Sequence, residues 1–123
     1  MKNAWYVDDD EEMIWAVRLM LRLLDYDTQS FLNARSAARA LLAGGRPDLM
    51  LLDINMPEVT GVQLLEFIRS RRVWNNIPII MLSSEATDIQ VDEALSRGAN
   101  AYVFKPVTIE ELEASIAKVQ RHI

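Results

Sequence analysis

The stretch "LLDINMPEVTG" (51–61) joins an apolar run to an acid, and then to a proline and a glycine. With the residues before it, "DLMLL" (48–52), the apolar part is almost continuous in Leu and Met. A parallel strand that is covered on both faces has this composition, because it has no side that faces solvent. Asp53 is therefore predicted to follow such a strand directly. Taken alone, Asp53 could equally be an ordinary turn residue ahead of Met56 and Pro57.

Four further apolar runs occur on either side of this stretch. They are "AWYV" (4–7), "DYDTQSF" (25–31), "IPIIML" (77–82) and "AYVF" (101–104). The run at 77–82 is as continuous as the central one, which again predicts a strand buried on both faces. The run at 25–31 alternates polar with apolar residues and is predicted to be an edge strand.

Helical patterns separate the five runs. Between Glu11 and Leu24, apolar residues recur at spacings of three and four, so they share one face of a helix. Thr108, with Glu111 three residues later, predicts a capping box that opens the last helix. The other predicted helices span 34–43, 61–72 and 86–97. Regular alternation of strands and helices implies a single α/β domain, a parallel sheet with helices on both faces.

Polar and charged side chains follow four of the five predicted strands. They are Asp8 and Asp9 after the first run, Asp53 after the third, Ser83 and Ser84 after the fourth, and Lys105 after the fifth. In open parallel sheets, ligands bind at the carboxyl ends of the strands. Carboxylates held close together repel one another and favour binding of a proton or a cation. A hard divalent ion such as Mg²⁺, which prefers oxygen ligands, is therefore predicted at this edge.

Composition excludes several other kinds of function. The 123 residues include no cysteine, which rules out disulfides, thiolate metal sites and cysteine nucleophiles. The only histidine is His122, near the chain end, so catalysis by a buried imidazole is not expected. The formal net charge of −5 disfavours extensive electrostatic binding to nucleic acid. No apolar segment is long enough to span a membrane and no signal peptide is recognised, so a cytoplasmic location is expected.

Four motifs in register resemble the receiver domain of bacterial two-component response regulators, of the chemotaxis-regulator type. They are "VDD" (7–9), "LLDINMPEVTG" (51–61), the serine that ends the fourth run, and "GANAYVFKP" (98–106). The resemblance covers nearly the whole chain, residues 1–123 being taken as one receiver domain. It implies a flavodoxin-like fold, a doubly wound parallel sheet of five strands in the order 2-1-3-4-5 with five helices.

The resemblance also implies a role for each residue at the strand ends. Asp53 would accept a phosphoryl group from a histidine kinase. Asp9 and Asp53 would bind Mg²⁺ through their carboxylates, Asp8 would act mainly through water, and the backbone carbonyl of Asn55 would be a further ligand. Lys105 would contact the phosphoryl group.

A second set of implied roles concerns the response to phosphorylation. The hydroxyl of Ser83 would bond to the phosphoryl group and draw its loop inward, and Tyr102 would then change rotamer to fill the vacated space. Ser83 is preferred to Ser84 because of its spacing to the following Glu85 and Ala86. The resemblance further implies a cis peptide bond between Lys105 and Pro106.

Simpler interpretations exist for the same residues. The acidic run after the first strand could open a helix, with Asp9 or Asp10 as cap and Glu11 and Glu12 in its first turn. Lys105 alone would be a solvated charge, and Tyr102 alone would be a core residue. Trp5 and Trp15 are expected to be packing residues. Trp74 is expected in a partly exposed loop.

The leading functional hypothesis is a phosphorylation-controlled switch that performs no separate substrate turnover. Its partners would be a sensor histidine kinase or histidine phosphotransfer protein, and an output domain or effector that the sequence does not identify. Dimerisation on phosphorylation is compatible with it. One alternative is a degenerate receiver that binds partners without phosphorylation. Others are a haloacid-dehalogenase-like hydrolase, disfavoured by Asn55 where a second acid is needed, and a flavodoxin, disfavoured by the acidic loop after the first strand.

Overall fold

A computed structural model describes residues 1–84 and 87–120 of the chain. His122, Glu85 and Ala86, which entered the predictions above, lie outside these residues. The elements are β1 (Lys2–Val7), α1 (Glu11–Leu23), β2 (Tyr26–Phe31), α2 (Ala34–Leu42), β3 (Leu49–Asp53), α3 (Gly61–Arg69), a 3₁₀ helix (Arg72–Trp74), β4 (Ile79–Ser83), α4 (Asp88–Ser96), β5 (Ala101–Phe104) and α5 (Ile109–Gln120). Within this part of the chain, no helix has the length and apolar character needed to cross a membrane.

The strands form one parallel sheet in the order β2-β1-β3-β4-β5, as the resemblance implied. The predicted edge strand, β2, is at one side of the sheet, and the continuous apolar strands β3 and β4 are in its interior. Every residue of β3 and of β4 is buried. Successive side chains of a strand point to opposite faces, so each face needs its own cover.

Two layers of helices cover the sheet. One core cluster unites α1 and α5 with one face, through residues such as Val17, Leu21 and Ile116. The other unites α2, α3 and α4 with the opposite face, where Leu41 and Leu65 are buried. Each layer therefore receives the apolar side of an amphipathic helix, which is the arrangement that the alternation predicts.

Side-chain caps fix several helix starts. Asp10 is the N-cap of α1, and its carboxylate accepts hydrogen bonds from the backbone N–H groups of Glu12 and Met13 at 3.0 and 3.3 Å. The capping interpretation is thus confirmed for this acid. The hydroxyl of Thr108 accepts from the N–H of Glu111 at 3.2 Å, which is one half of the predicted capping box, and it donates to the Glu111 carboxylate at 3.3 Å. Asp10 consequently points into its own helix while the two acids before it remain at the sheet edge.

The third helix ends three residues earlier than predicted. The chain leaves helical geometry at Arg71, whose φ and ψ are −118° and 126°, and then forms the short 3₁₀ helix. Arg69, the last helical residue, turns its guanidinium toward the chain that follows. The guanidinium donates to the carbonyls of Trp74 and Ile77 at 3.0 and 2.8 Å, and to that of Gly98 at 2.9 Å.

Two tryptophans differ from expectation. Trp74 is only 2% exposed, because the 3₁₀ helix turns its ring inward against Phe67, with ring centroids 5.5 Å apart. Trp15 is 67% exposed, because it lies on the face of α1 that is turned away from the sheet. Trp5 is buried, and that expectation is confirmed.

Candidate functional site

The register of the sheet brings the carboxyl ends of four strands level. Val7 of β1 is paired with Leu52 of β3, and Asp53 is paired with Leu82 of β4. Asp8 comes directly after Val7, so it lies beside Asp53. The ladder continues past the strands, since the N–H of Lys105 donates to the carbonyl of Ser83 at 2.8 Å. Side chains far apart in sequence therefore meet at one edge.

Asp8 is fully buried, and its carboxylate has three donors. The hydroxyl of Tyr6 and the ammonium of Lys105 donate to Oδ2, the latter at 3.0 Å. The backbone N–H of Asp10 donates to Oδ1 at 2.9 Å. A buried carboxylate requires such partners, because burying an unpaired charge is very costly.

Lys105 joins two carboxylates that are 45 residues apart in sequence. Its Nζ is 3.0 Å from Oδ2 of Asp8 and 3.0 Å from Oδ1 of Asp53. The predicted cis peptide bond between Lys105 and Pro106 is present. Burial lowers the pKa of Lys105, but the hydrogen bonds to the two carboxylates outweigh this, and the net pKa is raised. Lys105 is therefore held as a cation.

Asp53 is 3% exposed, and its surroundings favour the protonated carboxyl over the carboxylate. Burial is the largest influence and raises its pKa. The hydrogen bond from Lys105 lowers the pKa, whereas the negative charges of Asp8 and Asp9 raise it again. The net direction is upward, so Lys105 does not fully offset burial and the neighbouring acids. Such a carboxylate gains from any further positive charge placed beside it.

Asp9 completes a group of acids suited to a cation. One carboxylate oxygen from each of Asp8, Asp9 and Asp53 lies within 4.8 Å of the others. Asp9 is exposed whereas the other two are buried, so the group opens to solvent on one side. All donors are hard oxygen atoms, which fits Mg²⁺ and not a metal that prefers sulfur or imidazole.

Gly61 allows the loop after β3 to close beneath Asp53. Its N–H donates to the carbonyl of Ile54 at 3.0 Å. A Cβ atom at this position would lie 2.1 Å from the backbone oxygen of Asp53, so no other residue fits without moving the acid. The glycine in the motif of residues 51–61 thus has a direct steric role beside the site. Asn55 lies in the same loop with its side chain exposed.

Ser83 and Tyr102 lie on the two strands at the far side of Asp53. Ser83 is the last residue of β4, is 1% exposed and is paired with Phe104 of β5. Tyr102 is half-buried, packs against the core under α2, α3 and α4, and contacts the ring of Phe104 with centroids 5.2 Å apart. Their switch roles remain predictions, as does the carbonyl of Asn55 as a metal ligand.

Tyr6 is a site residue that the sequence prediction missed. Its buried hydroxyl bonds to Asp8, and burial together with that acid raises the pKa of the phenol. A signal for this contact exists in the sequence. Tyr6 comes two residues before Asp8, so the alternation of a strand places both on one side. The sequence pattern by itself assigns Tyr6 only to an apolar run.

The whole arrangement matches a known protein family. The family model of the response regulator receiver domain matches residues 5–117. The chain belongs to this family. It is therefore a receiver domain of two-component signalling, with the fold that the resemblance implied.

Curated relatives of this receiver domain differ in the share of their own length that it matches. The chemotaxis protein CheY of Pseudomonas aeruginosa is 33% identical over 113 residues, which are 92% of this chain and 91% of that protein. The KDP operon transcriptional regulatory protein KdpE of Escherichia coli is 36% identical, across 99% of this chain but only 53% of that protein. The receiver domain thus spans about half the length of the second relative.

Solved structures share the architecture of this receiver domain. The chemotaxis protein CheY4 of Vibrio cholerae is 28% identical and superimposes with a TM-score of 0.87, over 97% of this chain and 98% of the other. A response regulator from Chloroflexus aurantiacus reaches a TM-score of 0.90 at 23% identity, over 98% of each chain. The second likeness bears on the fold alone.

Proposed function

We propose that this receiver domain is a signalling switch that accepts a phosphoryl group on Asp53 from a histidine kinase or histidine phosphotransfer protein, with Mg²⁺ as cofactor. The observation that carries the proposal is the environment of Asp53. A nearly buried carboxylate contacts a lysine that is held as a cation, beside two more acids, at the carboxyl edge of a parallel sheet. This combination supplies a nucleophile, a fixed positive charge and oxygen ligands in one place.

The proposed step is an in-line transfer between two nucleophiles. A carboxylate oxygen of Asp53 forms a bond to phosphorus while the bond from phosphorus to the donor's imidazole nitrogen breaks. That nitrogen keeps the electron pair and takes up a proton. Asp9, Asp53 and the backbone carbonyl of Asn55 would hold Mg²⁺ directly, and Asp8 would act mainly through water. The bound ion would neutralise charge on the phosphoryl oxygens.

Lys105 has a separate part in this step. In the absence of a phosphoryl group its Nζ bonds to Asp8 and Asp53. Once Asp53 carries a phosphoryl group, the ammonium can donate to a phosphoryl oxygen while its bond to Asp8 persists. A cation already in place stabilises the developing charge without reorganisation.

The output would follow from hydrogen bonds that form only in the phosphorylated state. The hydroxyl of Ser83 would donate to a phosphoryl oxygen, and Tyr102 would occupy the space that the loop leaves. A shift of a population from 1:99 to 99:1 needs about 5.5 kcal/mol of differential affinity. Charge-assisted hydrogen bonds of about 1.5–3 kcal/mol each supply an effect of this size. The altered surface would then bind an output domain or effector in the cytoplasm.

On this proposal the chain is not an enzyme with a separate substrate. It assists only its own phosphorylation and dephosphorylation. A degenerate receiver that needs no phosphorylation is the alternative, and the contacts among Asp8, Asp53 and Lys105 argue against it, because a site free of phosphoryl chemistry has no need to hold strained charges together.

The test is phosphorylation by a small phosphodonor such as acetyl phosphate, followed by intact mass. Wild-type protein with Mg²⁺ should gain one phosphoryl group, and it should gain none in EDTA or as Asp53→Asn. Asp10→Asn is the matched control, because it removes a neighbouring acid that caps α1 and should still be labelled. Labelling of Asp53→Asn at the same site would refute the assignment. Unlabelled wild type with unchanged fold would favour the degenerate receiver.

A further inference from the structure

The outer face of α1 has an apolar row that nothing in the described part of the chain covers. Trp15, Leu19 and Leu23 are 67%, 49% and 74% exposed. Their spacing of four residues places them in one line along the helix, so they form a single stripe. Single exposed apolar residues are ordinary, but a contiguous row of this kind is typical of an interaction surface.

One flank of the stripe has opposite charges at its two ends. Glu11 is at the start of α1, and Arg18 and Arg22 are near its end, at spacings of seven and eleven residues. At 3.6 residues per turn, all three lie on the same side of the helix. Among the residues that the structure describes, none of the three has an opposite charge within 4.0 Å. These charges are therefore available to a partner.

We propose that a second copy of this chain covers the stripe, with the two α1 helices packed antiparallel about a two-fold axis. In an antiparallel pair each flank meets the same flank of the other helix, so Glu11 of one copy approaches Arg22 of the other. In a parallel pair the charged flank would instead meet the opposite flank of the other helix, where Met13 and Met20 lie, so Glu11 and Arg22 would not face each other. The charge order of α1 is thus self-complementary in one orientation only, and a two-fold axis uses every contact twice.

The same two-fold axis also brings the apolar residues of the two stripes into contact. When the two-fold axis crosses α1 at the level of Val17, Trp15 of one copy lies against Leu19 of the other. The same contact occurs a second time by symmetry. A groove of about 420 Å³ runs beside the stripe, between α1 and the edge strand β2, with Asp27 and Thr28 on its far wall. The groove provides room for side chains from a helix laid along α1.

The size of the face sets the expected strength. A helix of 13 residues is about 20 Å long, so one face of it buries less than the roughly 800 Å² per partner of a standard interface. The dimer should therefore be weak and should depend on protein concentration. It does not involve Asp53, so it is independent of the proposed function, and the Asp53→Asn chain should associate as the wild type does.

Sedimentation velocity of the chain from about 10 µM to about 1 mM tests the proposal. The mean mass of the wild type should rise toward that of a dimer. Leu19→Glu should raise the dissociation constant at least tenfold, because the charge enters the interface twice. Leu42→Glu is the matched control, since Leu42 is 55% exposed on α2 and should have no effect. A wild type that stays monomeric throughout, or an equal loss in the control, would overturn the proposal.

A charge exchange then tests the antiparallel orientation. Arg22→Glu alone should weaken association about tenfold, because it places acid beside acid. The double change Glu11→Arg with Arg22→Glu restores complementary pairs and should return the dissociation constant to within about threefold of the wild type. A double variant that is no better than the single one would refute this arrangement, and circular dichroism confirms that each chain is folded.

Discussion

Replacing Asp53 with Asn should make the protein more stable at neutral pH in the absence of Mg²⁺. Most substitutions at a buried polar position destabilise a protein. Here the native carboxylate is held beside other acids and away from water, which raises its pKa. Asn has nearly the same shape, can still accept a hydrogen bond from Lys105, and has no charge to bury.

The magnitude follows from the distances at the site. At an effective dielectric constant of about 20, carboxylate oxygens within 4.8 Å of each other repel by at least about 3–4 kcal/mol. Charges 3.0 Å apart, as in the pair of Lys105 with Asp53, attract by about 5–6 kcal/mol. Two neighbouring acids therefore oppose the charge of Asp53 at least as strongly as the lysine favours it, and burial opposes it further. We expect a gain of roughly 1–2 kcal/mol in the free energy of unfolding.

The stability that Asp53→Asn gains over the wild type should decrease as the pH falls. Since the folded-state pKa of Asp53 is raised above its ordinary value of 3.8, the folded chain binds this proton more tightly than the unfolded chain. The stability that the protonated acid contributes is present in full below the ordinary pKa and is lost as pH rises through the raised folded pKa. The advantage of Asp53→Asn should be complete above that pKa and should vanish at low pH.

Urea denaturation in EDTA, followed by circular dichroism at several pH values, measures this difference. The matched control is Asp27→Asn on the exposed edge strand, which should change the free energy of unfolding by less than about 0.5 kcal/mol. Mg²⁺ should stabilise the wild type more than Asp53→Asn and so narrow the gap. A variant less stable than the wild type at neutral pH, or an advantage that does not change with pH, would refute the description of Asp53 as a strained charge.

Three further substitutions should destabilise the chain in the same urea assay. Gly61→Ala should cost about 2–4 kcal/mol of unfolding free energy, because its Cβ would collide with the backbone oxygen of Asp53. The substitution should also slow phosphorylation. An unchanged urea midpoint would contradict the close contact between Gly61 and Asp53. Arg69→Met should cost about 3–5 kcal/mol by removing donors from four backbone carbonyls, whereas Arg71→Met, an exposed control, should cost less than about 1 kcal/mol. Tyr6→Phe should cost about 1.5–3 kcal/mol by removing a donor from the buried carboxylate of Asp8, and a neutral effect would show that water replaces the phenol.

Much of the fold was predictable because its signals are local. The run at 48–52 and the run at 77–82 are apolar on both sides, and both became interior strands. The alternating run at 25–31 became the edge strand, although it starts one residue later, at Tyr26, because Asp25 has the left-handed φ of 69° in the preceding turn. Periodicity and turn chemistry act within a few residues, so a sequence displays them directly.

The remaining differences depend on tertiary contacts. The sequence predicts Trp74 in a partly exposed loop, yet its ring enters the core once the 3₁₀ helix turns inward. Trp15 was expected to pack, yet one residue of rotation on a helix separates it from the buried Ile14. Fractional exposure depends on which elements meet, and only the assembled sheet and helices decide that.

The candidate site depends on local sequence signals and also on tertiary contacts. Strand ends could be located from sequence, but their charges repel, and nothing local explains why the fold tolerates them. The structure supplies the reason: Lys105 bonds to two of the acids, the hydroxyl of Tyr6 satisfies Asp8, and Gly61 lets the loop close under Asp53. These contacts hold the acids together without neutralising them completely. The residual strain on Asp53 favours binding of a further cation, and for that reason one substitution, Asp53→Asn, should both stabilise the fold and abolish the proposed phosphorylation.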